Sequence, residues 1–220
     1  MVKAQLTLLE NSRQIESKIN KALKKEVDFA TLRTGIRVVG PVKKLVRNAL
    51  LAQPEVVSLD GKRLAGEFGL PNGGSRINNI IQVWLDNIQF KSKKTTIRSG
   101  KINNTLQLTM IRSDYSDVLT LPDASITTEK GQILPWLEWL LRFGDRVIIR
   151  DFDVSFQRGR LGRSRSGLAV MVKGKSKKWR VPSEFAGTAT NNFVTRALDS
   201  VQSDIEKLVE KEMIRVLNAS

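Results

Sequence analysis

Asp151 and Asp153 stand two residues apart in Arg150-Asp151-Phe152-Asp153-Val154-Ser155-Phe156, so an extended chain turns both carboxylates to one side. Paired carboxylates can hold Mg²⁺ for phosphoryl chemistry, and a nuclease would add Glu138 or Glu184 and a basic helper such as Lys173. No Glu-x-Lys pair follows, and Asp-x-Asp is equally at home on the wet face of a strand, so we assign no metal site. Gly159, Gly162 and Gly167 sit among arginines, the composition of a phosphate-cradling loop. Neither the P-loop pattern nor a dinucleotide fingerprint is present. Ser164 and Ser166 lie beside basic residues but outside any G-x-S-x-G or S-x-x-K context. The 220 residues include no Cys and no His, which excludes disulfides, thiolate sites, thiol catalysis, imidazole triads and His acid–base steps. The expectation is a protein that is not an enzyme, with no catalytic residues, no metal and no cofactor.

Charge is the chemistry that remains. The chain has 37 Lys+Arg against 22 Asp+Glu, a formal net charge of +15 that draws it to polyanions. Between Val154 and Ser183 lie nine basic residues and no acidic one: Arg158, Arg160, Arg163, Arg165, Lys173, Lys175, Lys177, Lys178 and Arg180. A second acid-free window, Gln89 to Ser113, holds Lys91, Lys93, Lys94, Arg98, Lys101 and Arg112. Arginine binds phosphate bidentately, so these windows suit a nucleic-acid backbone or an acidic protein surface. Charged hairpin tips that merely discourage edge pairing would look the same. Trp136 and Trp139 could stack bases, but their helical spacing with Leu140 and Phe143 favours burial.

Helices and strands must position these groups. Apolar spacing (Ile15, Ile19, Ala22, Leu23) predicts a helix from about Ala4 to Val27. A second is expected to open at Gly40-Pro41, with Val42, Leu45, Val46, Ala49 and Leu50 on one face and Gln53-Pro54 as its stop. Leu64 to Gly69 reads as a short helical piece closed by a Pro71–Gly74 turn. A helix capped by Ser75 follows, with the stripe Ile77, Ile80, Ile81, Trp84 and Ile88. Gln89–Arg98 and Thr105–Ser113 form a predicted hairpin around residues 99–104, and Asp114–Gly131 reads as a loop. A helix with Pro135 in its first turn and Gly144 as its C-cap precedes strands at Arg146–Phe156 and Gly167–Lys173, with a short strand at Lys178–Val181. The closing helix, about Asn191 to Leu217, carries the stripe Val194, Leu198, Val201, Ile205 and Leu208. At about 1.5 Å per residue it is roughly 40 Å long, enough for part of it to pack on another subunit.

The coarse order is α+β: N-terminal helices, a small mostly antiparallel sheet with extended hairpins, and a long C-terminal helix. The expected packing residues are Trp136, Trp139, Leu140, Phe143, Phe193, Leu198, Val201, Ile205 and Leu208. We expect a single domain over residues 1–220, with about 54–122 as a candidate inserted subregion. The opening MVKAQLTLLENSRQ lacks the apolar core of a signal peptide, and the longest apolar run is Leu168 to Val172. The product is therefore expected to be soluble, intracellular where it is made, and without a membrane partner.

Three stretches of the second half resemble the neck and tail-completion proteins, or head–tail connectors, of tailed bacteriophages. They are Gly131-Gln132-Ile133-Leu134-Pro135-Trp136-Leu137-Glu138-Trp139-Leu140-Leu141, Arg163-Ser164-Arg165-Ser166-Gly167, and Asn192-Phe193-Val194-Thr195-Arg196-Ala197-Leu198. The resemblance covers about residues 131–217 and rests on packing and turn motifs. It implies an α+β protomer of a six- or twelve-fold homo-oligomeric ring, without catalytic activity, that joins the portal or adaptor to the tail. Its implied neighbours are portal or adaptor and tail terminator, tube or sheath, with non-specific contact to DNA in the channel. Its implied location is the virion, and the host cytoplasm during assembly. Tail termination and nucleic-acid binding through the basic loops are the alternatives.

Overall fold

The computed structural model describes residues 11–98, 101–112, 114–128, 131–157 and 164–219. Its order is α1 (Ser12–Leu51), α2 (Pro54–Leu59), α3 (Arg63–Glu67), α4 (Gly73–Asp86), β1 (Gln89–Arg98), β2 (Lys101–Thr109) and α5 (Ser116–Leu119). A 3-10 turn (Pro122–Ala124) leads to β3 (Ile126–Thr127), β4 (Ile133–Leu134), α6 (Trp136–Arg142), β5 (Ile149–Ser155), β6 (Val170–Trp179) and α7 (Phe193–Asn218). The class is α+β as expected. Among the described residues the strands form three separate antiparallel pairs: β1 with β2, β3 with β4 and β5 with β6.

Several expected boundaries move. The two N-terminal helices are one helix of 40 residues that carries Pro41 inside it rather than at a first turn. Proline removes one internal hydrogen bond, to the Arg37 carbonyl, and the rest of the ladder continues past it. The residues expected to be helical before Asn11 lie outside the described set. The fourth helix begins at Gly73 behind a left-handed Asn72 (φ 55°), so Ser75 lies within the helix and does not cap it. Pairing in the first hairpin runs out to Arg98↔Lys101, which places Lys101–Asn104 in a strand and not in a six-residue loop. Residues 114–131, expected as loop, include α5, the 3-10 turn and β3. Pro135 occupies the N-cap position of α6, one residue before its first turn, and Phe143, not Gly144, is its C-cap. The strands expected separately at Gly167–Lys173 and Lys178–Val181 are one strand, β6.

The chain divides into two compact units, the first made of Met1–Gly40, Gln89–Thr109 and Glu206–Ser220, the second of Pro41–Ile88 and Met110–Ile205. In the first unit, α1 buries Ala30, Thr31, Thr34 and Val38. Gly35 lies against Phe90 of β1 and Leu106 of β2, within 3.4 and 3.6 Å of where a Cβ would stand. The end of α7 joins this unit through an Arg37–Glu212 ion pair at 3.0 Å and a Thr34–Met213 contact at 3.5 Å.

The second unit holds the larger apolar core. Val42, Val46 and Leu50 recur every four residues and are buried, as the helical spacing requires. They share the interior with Leu59, Leu64, Ile77, Ile80, Ile81 and Trp84. Trp136, Leu140 and Phe193 are fully buried, Val201 and Ile205 buried, and Trp139, Phe143 and Leu198 half-buried; Leu208, half-buried too, belongs to the first unit. Phe68 is the hub of an aromatic cluster, with ring centroids 6.2 Å from Trp136, 6.4 Å from Trp139 and 5.9 Å from Trp179. Each such side chain contributes roughly 2–3 kcal/mol by leaving water, which makes this cluster the rigid support of the second hairpin.

Candidate interaction site: two basic hairpins and an outward helix face

The first basic surface is the β1–β2 hairpin. Lys91, Lys93, Lys94 and Arg98 are all exposed along β1. The register shifts between Lys93 and Thr96, and the bulge turns Thr95 inward, where it is 5% exposed. There the Thr95 N–H and hydroxyl both donate to Asp28 Oδ1 of α1, at 2.7 and 2.6 Å. Asn104 Nδ2 donates to Thr95 Oγ1 at 2.8 Å, and Thr31 Oγ1 lies 3.1 Å from Asn104 Oδ1. The Thr95 hydroxyl and amide hold the Asp28 carboxyl below its ordinary range, with Lys94 and Lys24 adding to the effect against some desolvation. Asp28, with the Thr31–Asn104 hydrogen bond beside it, thus ties the hairpin to the helix and leaves the lysines facing water.

The second basic surface is the β5–β6 hairpin. Lys173, Lys175, Lys177 and Lys178 are exposed, as is Arg165 in the segment that joins β5 to β6. Arg158, Arg160 and Arg163 lie outside the described residues. Between the pairs Arg150↔Lys178 and Phe152↔Lys173, four residues, Gly174 to Lys177, stand opposite Asp151. Asp151 and Ser176 both take left-handed backbone (φ 60° each), and the Ser176 N–H donates to Asp151 Oδ1 at 3.3 Å. Asp153 pairs with Lys177 at 3.5 Å and accepts from the Val154 N–H at 2.9 Å. Both carboxylates of the Asp-x-Asp pair therefore serve the bulge, which crowds basic side chains on one stretch of strand. Among the described residues no three His, Cys, Asp or Glu side chains gather where they could hold a metal ion.

The other chemistry candidates have structural partners. Ser164 Oγ donates to the Ala169 carbonyl at 2.6 Å and Ser166 Oγ accepts from the Leu168 N–H at 3.3 Å, so both tie the chain entering β6. Trp136 is buried, and its Nε1–H donates to the Asp123 carbonyl at 2.9 Å, which removes it as a base-stacking platform. Trp179 Nε1–H donates to Glu67 Oε2 at 2.9 Å. A cavity of ≈ 810 Å³ opens beside Phe68, Trp139, Trp179 and Met171, with Arg165 on its rim.

A third feature escaped the sequence reading, which left residues 28–39 without an element. Phe29, Leu32 and Ile36 point away from the packed side of α1 and are 45, 57 and 69% exposed. Arg33 lies over the Phe29 ring with its guanidinium carbon 4.3 Å from the centroid. The signal was available as a seven-residue repeat, Ile15, Ala22, Phe29 and Ile36, the spacing of a helix seam that meets another helix. No helix among the described residues is long and apolar enough to cross a membrane.

Comparison with protein-family models, with curated proteins and with solved structures finds no match to this chain.

Proposed function

We propose that this chain is a structural, non-enzymatic virion protein of the phage neck, one subunit of a six- or twelve-fold ring that joins the portal or adaptor to the tail. The observation that carries the reading is the outward face of α1. Three large apolar side chains, 45 to 69% exposed on one stretch of a 40-residue helix, form a surface that association would cover. A ring requires heterologous contacts between copies, and long helices with unpartnered faces suit them. The two basic hairpins supply contacts to the acidic faces of neighbouring virion proteins: portal, adaptor, terminator, tube or sheath. Contact with DNA in the channel is weak, because the DNA must pass. The protein works in the virion and reaches it from the host cytoplasm.

The test is quantitative mass spectrometry of purified particles, with portal and capsid copies as internal standards. Six or twelve copies per particle support the reading, and absence from particles retires it. Tail termination differs from neck completion in position alone, and imaging of labelled particles separates them. A second reading, non-specific nucleic-acid binding, is favoured by one observation: the lysines of both hairpins are exposed on strands rather than neutralised in a core. Its signature is a steep dependence of affinity on salt.

A further inference from the structure

The β1–β2 hairpin has two unlike faces. Phe90, Thr95, Asn104 and Leu106 lie toward α1, where they meet Gly35, Asp28 and Thr31. The pairing register turns the alternating residues to the other side. On β1 these are Gln89, Lys91, Lys93, Thr96 and Arg98, all exposed. On β2 they are Lys101, Asn103, Thr105, Gln107 and Thr109, exposed as well. The outward face therefore carries cations and neutral hydrogen-bonding groups, with no acidic and no apolar side chain. Lys91, Lys93, Arg98 and Lys101 pair with no carboxylate among the described residues. Arg98 and Lys101 stand directly opposite each other at the end of the ladder. Like charges paired across strands repel, and an anion seated between them removes that cost.

What such a face takes follows from what it lacks. A stable protein interface has an apolar centre inside a polar rim, and this face has no apolar centre. Unpaired bases are held by aromatic rings, and the aromatic residue of these two strands, Phe90, lies on the side of α1. Duplex RNA has a major groove too deep and narrow for a protein element to read. The major groove of B-form DNA, about 12 Å wide, admits a two-stranded β-ribbon. Two strands about 4.8 Å apart fit that width, with long side chains reaching its phosphate walls. The 10 residues of β1, at about 3.4 Å each, span close to one helical turn of DNA.

We infer that the outward face of the β1–β2 hairpin lies along the major groove of duplex DNA, with Lys91, Lys93, Arg98 and Lys101 on phosphates. Thr105 and Gln107 offer neutral hydrogen bonds beside them. Contacts to phosphate fix position and carry no sequence information, so the binding is non-specific. The inference rests on the nucleic-acid reading and names its surface and its ligand. Where it holds, acidic protein faces fall to the β5–β6 hairpin alone.

The experiment titrates the full chain onto a short labelled DNA duplex by fluorescence anisotropy at several salt concentrations. Two variants remove equal charge from different surfaces. One carries Lys91→Gln, Lys93→Gln, Arg98→Gln and Lys101→Gln, the other Lys173→Gln, Lys175→Gln, Lys178→Gln and Arg180→Gln. All eight positions are exposed, and circular dichroism melting checks that each variant folds. Four phosphate contacts give log K against log salt a slope of about −3.6, half of what both hairpins together would give. The first variant is expected to flatten that slope and to lose about tenfold or more in affinity at low salt, while the second keeps the slope. Netropsin, a minor-groove ligand, is expected to leave binding unchanged, and displacement by it would overturn the groove. Polyglutamate is expected to compete poorly. If it displaces the chain as well as unlabelled duplex does, the face belongs to an acidic protein and the inference falls. If both variants lose slope alike, or only the second does, the surface is wrong while the nucleic-acid reading stands. A wild-type chain without affinity for the duplex removes both, and the particle copy number still decides the ring.

Discussion

The side-chain amide of Asn192 donates to the phenolic oxygen of Tyr115 at 2.8 Å, joining the start of α7 to the start of α5. The same Nδ2 lies 3.2 Å from the Leu141 carbonyl and 3.0 Å from that of Thr188. The Asn192 oxygen accepts from the Val194 and Thr195 N–H groups at 3.0 and 3.2 Å, so one buried residue caps the helix and ties three segments to it. Replacing Asn192 by Ala removes the cap and leaves these groups unpaired inside the second unit. We expect a loss of about 2–3 kcal/mol, measured by urea unfolding, from a cap near 1 kcal/mol plus buried polar groups. Asn192→Asp keeps the cap but sets a carboxylate against two carbonyls, and is expected to be no more stable than Asn192→Ala.

Tyr115 gives the same site an optical reporter, because it is the only Tyr in the chain. Burial pushes its phenol above the ordinary range, against the opposing pull of the Asn192 hydrogen bond. The unfolded phenol titrates near 10 and the folded one higher, so the contribution to stability is complete below about pH 10 and is lost as pH rises toward the folded value. Absorbance at 295 nm should show tyrosinate forming only above the free value, together with unfolding. A reversible titration at the free value, with the fold intact, would contradict the burial.

Asp28 predicts the opposite sign at the other end of the pH scale. Its carboxyl is held below the ordinary value by the Thr95 hydroxyl and N–H, so its contribution is present above about pH 4 and is lost as pH falls through the folded value. Asp28→Asn should remove that acid step and cost on the order of 1 kcal/mol, discounted for partial exposure to solvent. Amide exchange at Thr95 should quicken selectively, since its N–H donates to Asp28. Unchanged Thr95 exchange in the variant would show that the carboxylate does not hold the bulge.

The legible parts of this fold are those where apolar period and burial coincide. Ile77, Ile80, Ile81 and Trp84 announce α4, and Val194, Val201 and Ile205 announce α7, because each face meets its own core. Gly40-Pro41 reads as a start because proline favours a first turn, yet the helix runs through it at the boundary between the two units. The stretch from Gly174 to Lys177 obscures β6, since Lys and Ser at these positions hide any alternation. The left-handed Asp151 and Ser176 are positions where sequence favours glycine. The basic windows were legible as charge. What holds them was not, because Asp28 and Thr95 are 67 residues apart and neither is a conspicuous core residue.

Gly144 shows how a correct residue can carry the wrong reason. It is not the C-cap of α6; its N–H donates to the Gly187 carbonyl at 3.1 Å, and its α-carbon faces the backbone of that segment. A Cβ at Gly144 would stand 2.6 Å from the Gly187 nitrogen and 2.8 Å from the Ala186 α-carbon. Backbone cannot step aside as a flexible side chain can, so Gly144→Ala is expected to cost about 1–3 kcal/mol by overpacking. A C-cap glycine would instead be identified by left-handed backbone, and Gly144 is absent from the positive-φ positions. Thermal melting of Gly144→Ala close to wild type would mean that this approach is looser than the geometry states.

The basic hairpins separate the neck reading from the nucleic-acid reading through salt. If they neutralise about eight phosphates, log K for duplex DNA should fall against log salt with a slope near roughly −7. A neck protein whose channel must let DNA pass should bind DNA weakly, while its charges still matter for joining. Reversing Arg158, Arg160, Arg163 and Arg165 to Glu is therefore expected to block head–tail joining in an assembly assay. Stability should stay near wild type for the exposed Arg165, whose Nη1 reaches only the Thr127 carbonyl, at 3.5 Å. Wild-type numbers of infectious particles from a folded quadruple variant would remove the hairpin from the joining step. A DNA affinity that does not respond to salt, with joining lost, assigns the hairpin to an acidic protein face, because a surface that neutralises no phosphates releases no condensed counterions.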